Sequence, residues 1–209
     1  YDLLNIMERK ITLADVDQRG QLVRKQAVIY EEQLEALPSA IECYVGLLQE
    51  QDDDPEALAS LRRLYAETHQ SDELQDILRR HLEIALDAED VNSELEIRLE
   101  LAGVLLNALG QTEDALSELE NILKVQGGHL EARLMLEGLL QDTSFRGRVA
   151  QILEPIYREN EDWSGLVNCL EITLQEEDDP ERRNALFESI GELQREKSGD
   201  LAASFDAYA

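Results

Sequence analysis

Apolar residues recur three and four positions apart along almost the whole chain, and this spacing predicts amphipathic α-helices. Between Pro55 and Thr68 it places four side chains on one helical face: Leu58, Leu61, Leu64 and Tyr65. After the polar break 69–72, the pattern repeats with Leu74, Ile77, Leu78 and Leu82. Because so short a turn joins the two helices, they must pack antiparallel.

The same spacing continues along the chain and predicts an all-α protein of about 11–12 helices. Leu, Ala, Glu, Gln and Arg dominate the composition, and these residues favour helix over strand. We therefore expect no sheet. The predicted helices cover roughly 2–15, 17–34, 38–50, 55–68, 72–86, 91–109, 112–125, 129–141, 145–159, 162–176 and 180–197, and a truncated twelfth begins at Asp200.

Residues that begin and end helices stand between these segments. Asp54 and Asp179 each precede a proline, so each offers an N-cap acceptor followed by proline at the first helical position. Glycines follow other segments, and we expect them to take the left-handed backbone conformation that closes a helix. These glycines are Gly110, Gly127 with Gly128, and Gly199.

Internal repeats indicate that the helices are copies of one another. The segment 61–74 resembles 153–166, with Tyr65 and Tyr157 at equivalent positions. Two further matches pair Gly110 with Gly199 and Ala40 with Ala115. The three matches have different offsets along the chain, so their registers conflict with one another.

We interpret the mismatch between the registers, which is about the length of one helix, as one additional helix in the second copy. The additional helix is either 129–141 or 145–159, and the pattern leaves both open. Pro155 lies inside the second of these segments, where a proline removes a backbone hydrogen bond and should kink the helix.

Two stretches carry a more specific pattern. The first is Gly110-Gln-Thr-Glu-Asp-Ala115-Leu followed by Leu119 and Leu123, and it resembles the helix-turn-helix unit of the tetratricopeptide repeat family. The second resembles the long, degenerate arrays of large bacterial tetratricopeptide proteins, such as those of myxobacteria. It reads Trp163-x-x-Leu166, Leu170-Glu171, Asp179-Pro180-x-Arg182, Gly199-Asp200 and Phe205-x-x-Tyr208.

This resemblance implies a right-handed superhelical solenoid of antiparallel helix-turn-helix repeats that forms one continuous domain over 1–209. Because the chain starts at Tyr1 and stops at Ala209 in mid-pattern, we expect it to be part of a longer array. In such families the concave groove typically receives an extended peptide or a partner's helix. The resemblance identifies no individual partner-binding residue, since the conflicting registers leave the groove-facing helices open.

Charge narrows the choice of partner. The 46 acidic and 19 basic residues give a net charge of −27, which repels the phosphates of nucleic acids and the anionic surface of membranes. No apolar run reaches the length of a membrane span. Two interpretations of the charge stay open: it keeps an extended protein soluble, or it attracts a basic partner.

The sequence predicts neither catalysis nor a metal or cofactor site. It lacks a phosphate-binding loop, a nucleophile elbow and a zinc-binding pair of histidines. The acidic runs 52–54 and 176–179 precede proline at helix starts, so capping explains them better than calcium binding. We expect Cys43 and Cys169 to be core residues of a reducing compartment.

The histidines and the larger aromatic residues also have simple structural interpretations. We expect His69, His81 and His129 to lie in turns or on the surface, because none of them pairs with another. Trp163 either packs between neighbouring helices or is an exposed anchor for a partner. Tyr65 and Tyr157 occupy equivalent repeat positions, which indicates packing.

The sequence therefore predicts a scaffold for protein–protein interactions, which binds a peptide or helix, with a basic partner as one option. The alternative is a structural segment that assembles with copies of itself, as a dimer or end to end. We expect a non-enzymatic protein with no nucleic-acid or membrane partner in this segment. The cytoplasm is the default location.

Overall fold

The computed structural model describes residues 2–195, which form helices joined by short turns and contain no strand. The helices are α1 Asp2–Leu13, α2 Val16–Glu32, α3 Leu37–Glu50, α4 Pro55–Glu67, α5 Ser71–Asp87, α6 Val91–Val104, α7 Thr112–Val125, α8 Leu130–Leu139, α9 Arg146–Glu159, α10 Trp163–Glu176 and α11 Pro180–Leu193. A π-helical turn, Leu105–Leu109, extends α6. The predicted helices are thus confirmed within a few residues at each end, while the twelfth from Asp200 lies outside the described residues.

The helices form two compact units, which meet in sequence between Gln111 and Thr112. In the N-terminal unit, each of the helices α1 to α6 packs against the next one. In the C-terminal unit, the helices α7 to α11 do the same, and α7 also touches α9. Each unit is therefore a stack of antiparallel helical hairpins, and the prediction of an all-α helical-repeat fold is confirmed. A right-handed superhelix and a single continuous domain over 1–209 stay predictions.

The two predicted N-caps are confirmed. One carboxylate oxygen of Asp54 accepts hydrogen bonds from the backbone N–H groups of Glu56 and Ala57, at 3.1 and 3.0 Å. Asp179 accepts one from the N–H of Glu181 at 3.0 Å. These bonds satisfy donors that the first helical turn leaves without an intrahelical partner, so the acidic runs end in structural caps.

The predicted left-handed glycines are confirmed only in part. Gly110 has φ of 65° and closes the helix before it, whereas Gly127 and Gly128 do not adopt a left-handed conformation, so that prediction was wrong. Gly199 lies outside the described residues. Four other helix ends use a residue with a side chain at this position: Glu35, His69, Glu89 and Glu161, with φ between 51° and 57°.

Hydrogen bonding explains why residues with side chains tolerate this conformation. The N–H of Gln70, after His69, bonds to the carbonyl of Tyr65 at 2.9 Å, and the N–H of Asp162 bonds to the carbonyl of Tyr157 at 2.9 Å. These cap bonds satisfy carbonyls at the end of the helix, and they offset a modest backbone strain.

The register that matches Tyr65 with Tyr157 correctly describes the internal repeat. It places α3, α4 and α5 on α8, α9 and α10, and the left-handed residue His69 on Glu161. All five buried residues of α4 then fall on buried residues of α9; they are Ala57, Leu58, Leu61, Leu64 and Tyr65, matching Val149, Ala150, Leu153, Ile156 and Tyr157.

This register also answers the question of the additional helix. Both 129–141 and 145–159 have counterparts in the N-terminal unit, so neither needs to be an additional helix. Pro155 lies within α9, which continues as one helix to Glu159 rather than ending at the proline. A proline on the exposed side of a helix loses one backbone hydrogen bond without breaking the helix when packing holds both sides.

Candidate functional site

A groove crosses the N-terminal unit, with α3 and α5 as its walls and α4 beneath them. Its volume is about 310 Å³. The floor consists of buried side chains, namely Leu48, Leu61, Tyr65 and Ile77, and the rim of more exposed ones, namely Val45, Gln49, Asp52, Glu73, Asp76 and Arg80. An apolar floor with a polar rim is the usual form of a site for a ligand or partner side chain.

Tyr65 is the one hydroxyl-bearing residue of the floor. The residue as a whole is 7% exposed, and its hydroxyl makes no hydrogen bond to any of the described residues. The hydroxyl oxygen is not fully enclosed, and the residue lines the groove. Burial raises the pKa of this hydroxyl, and the nearby charge of Glu73 raises it further. The phenol therefore stays neutral, and it offers one donor and an acceptor to whatever enters the groove.

The rim carries an acidic surplus. Arg80 is paired with Asp52, with 2.7 Å between the guanidinium nitrogen and the carboxylate oxygen. Glu73 and Asp76 are exposed and have no ion-pair partner among the described residues. They lie three positions apart on α5 and hence on the same face, where two like charges repel each other. The groove therefore attracts a cation.

Ion pairs elsewhere show why this surplus is not neutralised. Many arginines of the described chain pair with carboxylates of another helix or loop, and so are not free to neutralise the rim. Arg62, for example, pairs with Glu96 at 3.0 Å, and with Glu100 as well. With so many more acidic residues than basic ones, carboxylates such as Glu73 have no ion-pair partner among the described residues.

The equivalent place in the C-terminal unit is arranged differently. Tyr157 matches Tyr65, but its hydroxyl donates a hydrogen bond to the Glu137 carboxylate, with 2.7 Å between the oxygens. Gly165 stands where Glu73 stands, and a Cβ built on it would lie 2.8 Å from the Tyr157 ring. Burial and the bond to Glu137 both raise the pKa of Tyr157. The C-terminal copy thus satisfies its own tyrosine.

The two cysteines differ in burial. Cys169 is 1% exposed and is a core residue, as predicted. Cys43 is only half-buried and lines a cleft between α1 and α3, so the prediction of a core position was wrong for this residue. Burial raises the pKa of Cys43 to about 11 and that of Cys169 to about 12. Both are therefore thiols at neutral pH and weak nucleophiles.

The histidines lie apart from one another and from the groove. His69 is exposed in the turn between α4 and α5, and His129 caps α8 by accepting from the N–H of Ala132 at 3.3 Å, so the predicted turn positions are confirmed. His81 was expected at the surface, but it is half-buried on α5. Burial lowers the pKa of His81, and the charge of Arg62 lowers it further.

The two repeat tyrosines are packing residues, whereas Trp163 lies between its two interpretations, packing and exposure. Tyr65 and Tyr157 are 7% and 4% exposed, which confirms that they pack inside the hairpins. Trp163 is half-buried at the first position of α10. Over residues 2–195, no three acidic, histidine or cysteine side chains gather as a metal-binding group.

A second cleft, of about 670 Å³, lies between α1 and α2 and is mostly apolar. Leu3 and Val28, which line it, are 54% and 40% exposed, and Ile6 and Leu13 on α1 are 50% and 87% exposed. Within the described part of the chain, no helix has both the length and the apolar character needed to cross a membrane.

Comparisons with known proteins assign no family to the chain. No family model matches it, and no curated protein matches it. Among solved structures, the chain is similar to a tetratricopeptide repeat protein from Parabacteroides merdae, with a TM-score of 0.41 and 17% sequence identity. That match covers 91% of this chain and 77% of the other. The helices and hairpins of the chain itself define the all-α fold.

Proposed function

We propose that this chain is a scaffold for protein–protein interactions and that it binds a peptide segment of its partner in the groove across α3, α4 and α5. The observation that carries the proposal is the open groove itself, with a tyrosine hydroxyl and two carboxylates that have no partner among the described residues. A hydroxyl that has no partner among the described residues bonds water in the groove, and a ligand group that replaces this water gains a hydrogen bond of defined direction.

The charge of the chain supports a basic partner. The net charge of −27 creates a negative potential around the whole protein, which accelerates the approach of a positively charged segment. We propose no catalytic role and no cofactor, and we place the protein in the cytoplasm, in keeping with its two free cysteines. The pattern of leucines and caps supports an origin in a degenerate array of the large bacterial, myxobacterial type.

The test is a photo-cross-linking experiment with short synthetic peptides. One variant carries a photoreactive phenylalanine derivative at Gln49, an exposed rim position, and the control carries it at Gln126, an exposed position in the C-terminal unit. We expect basic peptides to cross-link at position 49 and unlabelled peptide to compete, while neutral and acidic peptides do not. Equal cross-linking at both positions, or none at 49, would show that the groove is not the docking site.

A second candidate function rests on the exposed apolar residues of α1 and α2. Leu3, Ile6 and Val28 would be covered if two copies of the chain associated through these helices. Sedimentation equilibrium over a hundredfold range of concentration tests this candidate. A mass that rises toward the dimer, and that falls back in a Leu3→Gln/Ile6→Gln variant, would favour self-assembly; a constant monomer mass would rule it out over that range.

A further inference from the structure

We propose that Tyr65, Glu73 and Asp76 form a subsite for one arginine side chain of the bound peptide. This inference rests on the proposed function and gives it a specific chemistry. The guanidinium would lie between the two carboxylates of α5 and donate a hydrogen bond to the Tyr65 hydroxyl. The methylene stem would cover the apolar floor beside Leu48 and Ile77.

The first step of the argument is the pair of carboxylates. Glu73 and Asp76 are one helical turn apart on α5, and both line the groove. No basic side chain of the described residues reaches either of them, although Arg80 is on the same helix, because Arg80 is held by Asp52 at 2.7 Å. A cation that enters between Glu73 and Asp76 relieves their mutual repulsion and gains two charge-assisted contacts.

The second step is the tyrosine, which is independent of the acidic pair. Its ring is fixed in the core beside Leu61, so its hydroxyl is already positioned and loses little entropy when it binds. The hydroxyl has no acceptor or donor of its own in the described chain, whereas that of Tyr157 has Glu137. The Tyr65 hydroxyl in the floor and the two carboxylates on one face of α5 in the rim give three acceptors that line the same groove.

The third step is the choice of arginine over lysine. Arginine has five donors in a rigid planar fork and is less strongly hydrated than an ammonium group, so it can reach acceptors on several sides at a lower desolvation cost. The groove volume of about 310 Å³ lies at the lower end of the range for ligand clefts, roughly 300–1,000 Å³. It therefore suits one long side chain rather than a whole ligand.

The fourth step is that the subsite occurs in one unit only. The equivalent of Glu73 is Gly165, which is packed against the Tyr157 ring, and the Tyr157 hydroxyl is already bonded. The described C-terminal unit thus offers no second copy of this arrangement at the equivalent position. One subsite in one groove would fix the register of the peptide on the scaffold.

The experiment is an NMR titration of the whole chain with three small probes: the N-acetyl amides of arginine, lysine and citrulline. Citrulline has the shape of arginine without its charge. We expect the arginine probe to shift the backbone amide signals of Glu73 and Asp76 and the ring signals of Tyr65. Lysine should bind more weakly, and citrulline should cause no comparable shift.

Two double variants separate the subsite from general attraction. Glu73→Gln/Asp76→Asn should weaken binding of the arginine probe roughly tenfold. Glu83→Gln/Asp87→Asn removes the same charges from exposed positions of the same helix, roughly 15 Å further along its axis. It should leave binding nearly unchanged, and Tyr65→Phe should weaken it about two- to tenfold.

Several outcomes would overturn the proposal. Citrulline binding as well as arginine would remove the charge argument, and equal weakening by both double variants would reduce it to a general field effect. Lysine binding as tightly as arginine would remove the assignment of arginine. If peptides cross-link at position 49 but the arginine probe shifts neither Glu73 nor Asp76, the subsite is wrong while the interaction scaffold stands; if nothing cross-links there, the scaffold proposal itself fails.

Discussion

The hairpin of α4 and α5 and the hairpin of α9 and α10 share the same buried positions, but the tyrosine hydroxyl is bonded in the second and has no partner among the described residues in the first. In the second, α9 and α10 approach more closely, because glycine replaces a larger residue at both ends of the contact. Gly165 lies against the Tyr157 ring, and a Cβ on Gly147 would overlap the carboxylate of Glu176. Their counterparts in the first hairpin are Glu73 and Pro55.

The difference shows how a repeat can keep its core and change its surface chemistry. The core positions are filled by aliphatic residues and one tyrosine in both copies, so both hairpins are built in the same way. Two positions differ. The residue opposite the tyrosine is Glu73 in the first copy and Gly165 in the second, and the residue on the preceding helix is Val45 in the first and Glu137 in the second. In the C-terminal copy one residue bonds the hydroxyl and the other packs against the ring, whereas in the N-terminal copy the hydroxyl has no bond to the described residues.

The largest effect should come from the shared core. Leu61 and Leu153 are equivalent, and both are 0% exposed. Leu61→Ala and Leu153→Ala should each lower the free energy of unfolding by about 2–5 kcal/mol. Urea denaturation followed by circular dichroism measures both. The two losses should agree within about 1 kcal/mol, given similar cavities; a much larger gap would mean that the two cores are not equivalent.

The next effect should come from the close approach of α9 and α10. Gly165→Ala places a methyl group 2.8 Å from the Tyr157 ring. Overpacking of this kind should lower the free energy of unfolding by about 1–3 kcal/mol. Trp163 is the chain's only tryptophan and lies on α10, so its fluorescence reports unfolding of this hairpin.

The control for this prediction is another helical glycine in the same unit. Gly138 on α8 has no neighbouring atom within 4 Å of a built Cβ. Gly138→Ala should therefore stabilise the chain by about 0.5–1 kcal/mol through the lower entropy of its unfolded state. If Gly165→Ala were equally stabilising, the helices would not be in close contact at that point.

Structural features that depend on residues close in sequence could be predicted from the sequence, and features that depend on more distant contacts could not. Helix positions and the caps at Asp54 and Asp179 depend on neighbouring residues, so the apolar spacing and the Asp-Pro pairs predict them well. The left-handed ends at His69 and Glu161 escaped prediction, because glycine is the strong local signal for that conformation and these ends depend instead on cap hydrogen bonds.

The groove depends on distances between helices, which no local pattern contains. The exchange of Glu73 for Gly165 is visible in the aligned repeats, and so is that of Val45 for Glu137. Their meaning becomes clear only from the hydroxyls: that of Tyr157 is bonded to Glu137, and that of Tyr65 has no bond to the described residues. The repeat pattern therefore identifies both tyrosines, but only as packing residues.

A smaller effect on stability should distinguish Tyr157 from Tyr65. Tyr157→Phe removes a hydrogen bond and should lower the free energy of unfolding by about 0.5–1.5 kcal/mol. The loss stays in this range because the Glu137 carboxylate keeps its contact with Arg133 at 3.4 Å. Tyr65→Phe removes a hydroxyl that has no bond to the described residues and should change stability by less than about 0.5 kcal/mol. Equal losses, measured by urea denaturation, would show that the Tyr65 hydroxyl has a partner in the folded chain.

The smallest effect should be one of pH, and it too distinguishes the hairpins, because His81 on α5 corresponds to Thr173 on α10. Burial, followed by the charge of Arg62, lowers the pKa of His81 in the folded chain below its ordinary value of 6.5, and the carboxylates of Glu96 and Glu100 oppose this shift without reversing it. As pH falls through 6.5, the unfolded chain takes up a proton at this residue more readily than the folded chain does. Stability contributed by neutral His81 is therefore present above that pH and declines below it.

His81→Gln removes this proton uptake and should flatten the dependence of stability on pH between about 7.5 and 5.5. The measurement is the urea midpoint of the parent chain and of the variant at both pH values. The change in midpoint between the two pH values is compared, so a constant loss of stability caused by the substitution cancels. An unchanged slope would place the pH dependence on other groups and would leave His81 without a part in it.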